Sequence, residues 1–533
     1  MRKKFLILLG TAFLIRLISL NQSLWLDEAI TAKVVRQFSL FQIPILFSPA
    51  DFHPPLFYIV MKMWTSIFGY SEIALRMPSV IFSLLTGHAV FLIGTRLKNQ
   101  KFGLWAAALY LFNPLVIYYS QEARMYSMVT FLLTFALYFW LEIMHNQEEK
   151  KRPLLIERLI SFLRLLPFDF AHFGNPQCKQ GKLLRNDNPE MLFKIKDRTT
   201  LVVLFNLLLV LAIWTFYGGV FFIAGLLFLF IVRKQYKQFL ISSFILFISL
   251  IIQYPLLSTQ MAHAGVYLTQ VPYWNLVLGT PSLKNLLLIP IKFSVGRISF
   301  YPKIIYYTVA GLWTLFTFSF VILGAIKKRY LFFIFLFPLL LAFLFSFFSP
   351  LIQYFRFLYL LPVISLLMVA GVDQYISVKE RKGFLSLFWK KHEEKLLDKI
   401  RNNAVFEILL AFFILFSLLY LLLPAYHRED WKRMSQVLPA NSPIYLILPS
   451  SDPLLYYRPE ITLKELRTVG EKEFLGKDTY VIPYTSPIYG FDYENALRNK
   501  GCHFKERYSF REIYFEKWNC GFISSSDTHR QQG

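Results

Sequence analysis

Two adjacent carboxylates, Asp27 and Glu28, stand in Trp25-Leu26-Asp27-Glu28, directly after an apolar run that begins with basic residues. Trp25 suits a membrane–water boundary, which sets the two acids just above it. A carboxylate there can take a proton from a substrate hydroxyl. Neighbours on a helix face different directions, so one of the two points into a site. Asp27 ahead of Ala29-Ile30-Thr31-Ala32 equally suits a helix N-cap, and both readings stand on the residues alone. His53-Pro54-Pro55-Leu56 follows, where two prolines set the start of a helix and His53 either contacts a phosphate or sugar hydroxyl or is simply exposed. Glu122-Ala123-Arg124-Met125-Tyr126 is a short polar link between long apolar runs. Its Glu and Arg either pair with each other or divide the work, Arg124 on an anion and Glu122 orienting a partner group. Arg356 stands among aromatics in Gln353-Tyr354-Phe355-Arg356-Phe357-Leu358-Tyr359, where it either snorkels or clamps a phosphate. Lys292 and Arg297 are weaker candidates for that role.

Two acids and several cations on one face suit a substrate with a lipid tail and a charged phosphate. The tail would lie between helices, with the phosphate at the boundary. A carboxylate would activate an acceptor hydroxyl, and cations would stabilise charge on the departing phosphate.

The elements that must position these residues are membrane spans. Of 533 residues, 56% are apolar and 17% charged, and 56 are Phe. That composition excludes a cytosolic enzyme, a secreted disulfide scaffold and a disordered chain. The net charge of +24 is spread over short clusters such as Arg233-Lys234-Lys237 and Lys327-Lys328-Arg329, which are topology signals rather than a nucleic-acid footprint. The apolar runs predict about 11 transmembrane helices, at 4–20, 76–95, 102–118, 128–144, 200–216, 218–232, 238–254, 303–323, 330–348, 357–377 and 405–424. The stretch 55–69 is read as an interfacial helix on the outer face. This assignment places the N-terminus in the cytoplasm and more than half of the 57 Lys and Arg in inner segments.

Three outer regions exceed simple connectors: 21–75, 255–302 and the polar tail 425–533, read as a small α/β domain with strands near Ile444–Leu448 and Thr479–Ile482 and helices near Asp430–Leu438 and Tyr493–Lys500. The chain thus divides into a membrane domain, 1–424, and an extracytoplasmic C-terminal domain, 425–533. The cytoplasmic insertion 145–199 carries an expected surface helix at Leu159–Phe173, and 379–402 is a second basic inner loop. Three Cys make no metal site; Cys502 and Cys520 share the outer tail and either pair or stay free. The adjacent carboxylates leave a divalent ion open.

These residues resemble the GT-C membrane glycosyltransferases, closest to the bacterial glycosyltransferase family 39 type with its protein O-mannosyltransferase and aminoarabinose-transferase relatives. Leu24-Trp25-Leu26-Asp27-Glu28, His53-Pro54-Pro55-Leu56, Arg76-Met77-Pro78-Ser79, Glu122 to Tyr126, Arg356 and Arg428-Glu429-Asp430-Trp431 carry the resemblance. It implies a polytopic helical membrane protein of the plasma membrane with its site on the outer face. It implies Asp27 as catalytic base with Glu28 as a supporting acid, and Glu122 and Arg124 shaping the sugar-phosphate site; relatives with Lys in place of His53 leave that position's role open. It implies a hexose or pentose moved, with inversion, from a polyprenyl-phosphate sugar to a cell-envelope glycan, lipid or protein. The lipid-linked sugar is a co-substrate, and no cofactor is expected. A lipid or sugar flippase is the rival class, which would keep its charges near the bilayer midplane.

Overall fold

A computed structural model describes residues 1–151, 197–384, 394–439, 442–470 and 478–520. The expected helix at Leu159–Phe173, Cys178 and part of the basic loop 379–402 lie outside the described residues. Seven helices are long and apolar enough to cross a membrane: Glu72–Leu97, Tyr126–His145, Arg198–Thr215, Tyr236–Gln270, Lys303–Lys327, Tyr354–Ser377 and Asn403–Leu422. Gln100–Leu111 and Pro114–Ser120, bent by 62°, make an eighth if counted as one span. The remaining expected spans fall on shorter helices, Arg2–Leu17, Tyr217–Val232 and Arg329–Phe345. By length, therefore, seven or eight of the expected 11 or so qualify.

The 62° break has a local cause. Asn113 accepts hydrogen bonds from the backbone N–H of Leu115 and Val116 (2.9 and 3.3 Å). Pro114 follows at the first helical position, where its missing N–H costs nothing. The Leu111 carbonyl freed at the break accepts from Arg16 Nη2 at 2.8 Å, and Arg16 also reaches Ser83 and Ala12. Gln121, just past the second half-helix, donates to the Arg16 and Ile18 carbonyls (2.8 and 2.7 Å) and closes the end of the first helix. The break thus turns the link 121–125 inward toward the first outer loop.

The helix Leu56–Phe68 buries Phe57, Tyr58 and Met61 and exposes Met63, Ile67 and Phe68, an apolar outer face of the kind expected for 55–69. The region 255–302 is not an open loop. The helix from Tyr236 continues through Pro255 to Gln270, and Trp274–Leu278 and Leu283–Val295 follow. Gln260 on the extension donates to the Ser48 and His53 carbonyls (2.7 and 3.0 Å), which fixes it to the first outer loop.

The C-terminal region carries a five-stranded sheet ordered β2-β1-β3-β5-β4. Here β1 is Ile444–Leu446, β2 Leu463–Glu465, β3 Asp478–Ile482, β4 His503–Phe510 and β5 Ile513–Asn519. The first three run parallel, and β5 is antiparallel to both β3 and β4. One face packs on Trp431, Met434 and Phe515, the other on Tyr445, Leu497 and Trp518. A Cys502–Cys520 disulfide closes the open end of the β4–β5 hairpin.

Small residues let membrane helices touch backbone to backbone. A Cβ on Gly371 would fall on the Phe320 carbonyl, and one on Gly324 on the Leu367 carbonyl. Gly371→Val should therefore cost about 3 kcal/mol by overpacking, seen as a clear drop in the melting temperature of the detergent-solubilised protein. An unchanged melting temperature would mean that these helices do not cross this closely.

Candidate active site

The site begins with a division of labour between the two adjacent acids. Both stand in the first turn of the helix Leu26–Gln37, and the helical turn sends them apart. Glu28 is fully buried. Its carboxylate accepts from Arg76 Nε and Nη2 (2.8 and 2.6 Å) and from the Ala123 N–H (2.8 Å). Arg76, itself buried, also donates to the carbonyls of Leu20, Gln22 and Ser23. Glu28 is thus no free supporting acid; it is the pin that joins the first outer loop to the link 121–125. For the same reason Asp27 and Glu28 do not make a divalent-ion pair. Among the described residues no three His, Cys, Asp or Glu gather as a metal-holding group.

Asp27 points the other way and is one-third exposed. Its carboxylate lies 3.5 Å from Arg124 Nη2, and Arg124 Nη1 reaches its carbonyl and the Tyr58 hydroxyl (3.5 and 3.4 Å). Tyr58 donates to Asp51 at 2.9 Å, and His53 Nδ1 stands 3.5 Å from the same Asp51 oxygen. Burial alone would raise the Asp51 carboxyl, but His53 and Arg124 outweigh it and hold it below the usual carboxylate range. His53 is therefore turned to Asp51 and half-buried. Buried Arg124 Nε, His53 Nδ1 and Glu122 Oε2 have no hydrogen-bond partner, and unsatisfied buried polar atoms at one place call for a ligand or a working role.

Glu122 and Arg124 do not pair with each other. Glu122 binds Arg428, whose Nη2 and Nε donate to Oε1 (2.8 and 3.2 Å). The Arg428 guanidinium lies over the Trp25 ring, 3.8 Å from its centroid. Burial, reinforced by Glu28, pushes the Glu122 carboxyl up in spite of Arg428 and Arg297. Tyr126 is buried and meets Tyr119, Phe216 and Phe355 edge-on. Tyr119 and Tyr126 also line a small cavity with Ser127, Thr130, Leu358 and Leu361. Arg356 is half-buried and donates to the Pro350 carbonyl at 3.3 Å.

A second group of cations lies on the other side of Glu122. Arg297 donates to the Tyr118 hydroxyl at 2.6 Å, and its guanidinium sits 4.8 Å from that ring's centroid. Lys292 Nζ reaches Tyr306 at 3.4 Å. Burial, with Arg297 and Lys303 nearby, lowers the Lys292 ammonium to about 8. Arg297, Lys292 and Arg356 form no salt bridge with a described carboxylate, so a bound anion would find them unneutralised. Sequence reasoning missed Asp51, Tyr58 and Arg428 and ranked Arg297 too low. The usable signal was a buried charge at the membrane edge without a local partner.

The C-terminal domain is seated on this site. Lys33 pairs with Asp452 (2.9 Å), Lys432 with Glu72 (2.8 Å), and the Leu24 N–H donates to the Tyr457 hydroxyl (2.8 Å). Arg36 lies over Tyr456, 4.3 Å from the ring centroid.

Residues 52–157 match the dolichyl-phosphate-mannose-protein mannosyltransferase family. No curated protein matches the sequence. ArnT from Cupriavidus metallidurans in the apo state superposes with TM-score 0.50 at 11% identity, covering 96% of this chain and 97% of that one. The same protein bound to undecaprenyl phosphate gives 0.49 at 12% identity, covering 98% of each chain. The archaeal oligosaccharyltransferase AglB from Archaeoglobus fulgidus, in complex with an inhibitory peptide and a dolichol-phosphate, gives 0.49 at 12%, covering 98% of this chain and 74% of that one. At such identities the likeness is one of fold.

The roles of the two acids separate experimentally. Glu28→Gln leaves the buried Arg76 charge without its counter-ion, which should cost about 3–5 kcal/mol. The expected result is loss of monodisperse, folded protein, whereas Asp27→Asn should purify like the wild type. A stable Glu28→Gln protein would remove the pin from the account.

Proposed function

We infer that this chain, a multi-pass membrane glycosyltransferase of the GT-C superfamily, moves a hexose or pentose from a polyprenyl-phosphate sugar to a hydroxyl of a cell-envelope glycan, lipid or protein. The reaction takes place on the non-cytoplasmic face of the plasma membrane and inverts the anomeric centre. The observation that carries this reading is the arrangement of opposite charges at one membrane edge. A part-exposed Asp27 is held by buried Arg124, and the outer segments also carry three cations, Arg297, Lys292 and Arg356, whose polar contacts are the Tyr118 and Tyr306 hydroxyls and the Pro350 carbonyl rather than a carboxylate. The family matched by residues 52–157, described by its dolichyl-phosphate-mannose donor, supports a lipid-phosphate sugar.

Asp27 accepts the proton of the acceptor hydroxyl as that oxygen bonds to the anomeric carbon. The bond from that carbon to the phosphate oxygen breaks, and polyprenyl phosphate leaves with the electron pair. Arg124 fixes the orientation of Asp27 and offers its unpaired Nε to the phosphate. Arg356, Arg297 and Lys292 meet the negative charge that grows on the leaving oxygen, and such preorganised cations act most strongly where water is excluded. Their effect falls on turnover more than on donor binding, because only charge that develops in the transition state changes the rate.

Two measurements test this. Asp27→Asn keeps the shape and removes the base, so transfer from radiolabelled polyprenyl-phosphate sugars in liposomes should fall by about 10²–10⁴. Equal transfer by both proteins would remove Asp27 as base. Lys292, with its ammonium near 8, is charged below that pH and neutral above it. The KM for the donor should therefore rise as pH increases through about 8, and Lys292→Met should flatten that rise; an unchanged slope would take Lys292 out of the phosphate site.

A further inference from the structure

A strip of aromatic rings leads away from the acid end of the site, and nothing in the reaction outlined above uses it. It starts at Phe52, which lies between Asp51 and His53 and is 38% exposed. Phe52 meets Tyr267 edge-on at 5.5 Å, and Tyr267 meets Trp274 edge-on at 5.3 Å. The Tyr267 and Tyr489 hydroxyls are 3.4 Å apart, and Arg467 lies over the Tyr489 ring, 4.9 Å from its centroid. Tyr267, Trp274 and Tyr489 remain half-exposed. The strip is therefore built from three segments: the first outer loop, the extension of the helix Tyr236–Gln270, and the C-terminal domain.

We propose that this strip, Phe52, Tyr267, Trp274 and Tyr489, is the acceptor subsite and that its occupant is a neutral glycan chain. The proposal rests on the transferase reading above and names its acceptor class. Three observations favour a glycan. Three of the four rings, Tyr267, Trp274 and Tyr489, carry polar tips, which suit the apolar face and hydroxyl rim of a pyranose, since Tyr and Trp combine an apolar body with a hydrogen-bonding edge. The one cation on the strip is already neutralised, because Arg467 is bound by both Glu465 oxygens at 2.8 and 3.1 Å, so the strip does not select an anion. The strip also continues directly into the Asp51–His53 segment beside Asp27, so the end of a chain lying on it delivers a hydroxyl to the base. A lipid acceptor would instead need an aliphatic groove opening to the bilayer.

The test uses full-length protein in nanodiscs with a radiolabelled polyprenyl-phosphate sugar as donor. Neutral tri- and tetrasaccharides of glucose, mannose and galactose serve as acceptors, and donor loss to water is followed in parallel. Phe52→Ala and Tyr267→Ala should raise the acceptor KM about tenfold, the scale of one lost aromatic contact, while kcat and the donor KM change less than about twofold on that same scale. Tyr267→Phe keeps the ring and should stay close to wild type, which a loss caused by misfolding would not show. The proposal is overturned if the acceptor KM is unchanged in both alanine variants, or if donor KM and acceptor KM rise together. It is also overturned if the wild type consumes donor but accepts only peptides or lipids, or no saccharide at all. Donor that is not consumed even by water would instead sink the transferase reading itself, a result distinct from any of these.

Discussion

The architecture of the site depends on one desolvated ion pair. Arg76 makes five hydrogen bonds, two to Glu28 and three to carbonyls of the segment 20–23. A charge taken out of water is tolerated only when its remaining donors are also satisfied, and here all of them find oxygen close by. Glu28 uses the same oxygen that binds Arg76 Nε to accept from the Ala123 N–H. Three distant parts of the chain therefore meet at one carboxylate: the end of the first helix, the start of the helix Glu72–Leu97, and the link after the broken span. Asp27, one step along the same helix, must face elsewhere, and there it meets Arg124. Glu28 points inward and Asp27 outward.

The broken span serves the same arrangement. An unbroken helix over 100–120 would carry Glu122 and Arg124 away from the first outer loop. Asn113 and Pro114 supply the turn, while Arg16 and Gln121 bond the carbonyls that would otherwise be left bare in an apolar medium. Beyond it, Glu122 and Arg124 part company, one toward the C-terminal domain through Arg428 and the other toward Asp27. Arg428 makes that domain a structural part of the site, because without it Glu122 would be a buried carboxylate with no bound cation.

Much of this was legible in the sequence because lipid exposure writes long apolar runs and charge is scarce between them. Each expected span falls on helical residues, although 102–118 is broken at 112–113 and only seven or eight are long enough to cross a membrane, and the strands near 444 and 479 and the helices near 430 and 493 fall within a few residues of their expected places. The errors have physical causes. Pro255 was read as an end, but a proline is tolerated within a helix where neighbouring groups satisfy the freed carbonyl, so the helix runs on to Gln270. Asp27 and Glu28 look alike in a sequence; which of them is buried depends on Arg76, whose guanidinium reaches back from a different helix. The Glu122–Arg428 pair spans 306 residues, and no local pattern reports a contact of that range. The β4–β5 hairpin was missed because its outer strand is mostly exposed and polar, so it lacks the alternation that marks a strand.

The placement of charge also separates an enzyme from a conduit. A transporter must let its ligand cross, and its charged groups stand near the midplane, where broken helices surround them. Here the break at residues 112–113 is sealed by Arg16 on the Leu111 carbonyl and Ser417 on the Phe112 carbonyl, and the charges beyond it are held by bonds from several segments at once. Arg76 and Arg124 each bind groups of the first outer region from a different part of the chain, and Arg428 binds Glu122 and lies over Trp25. Alternating access would require those segments to part, breaking a buried ion pair at each step, with a cost of several kcal/mol for every charge left alone. A fixed constellation of this kind gains nothing from motion. Its effect is to hold Asp27 and the surrounding cations in fixed places relative to one another.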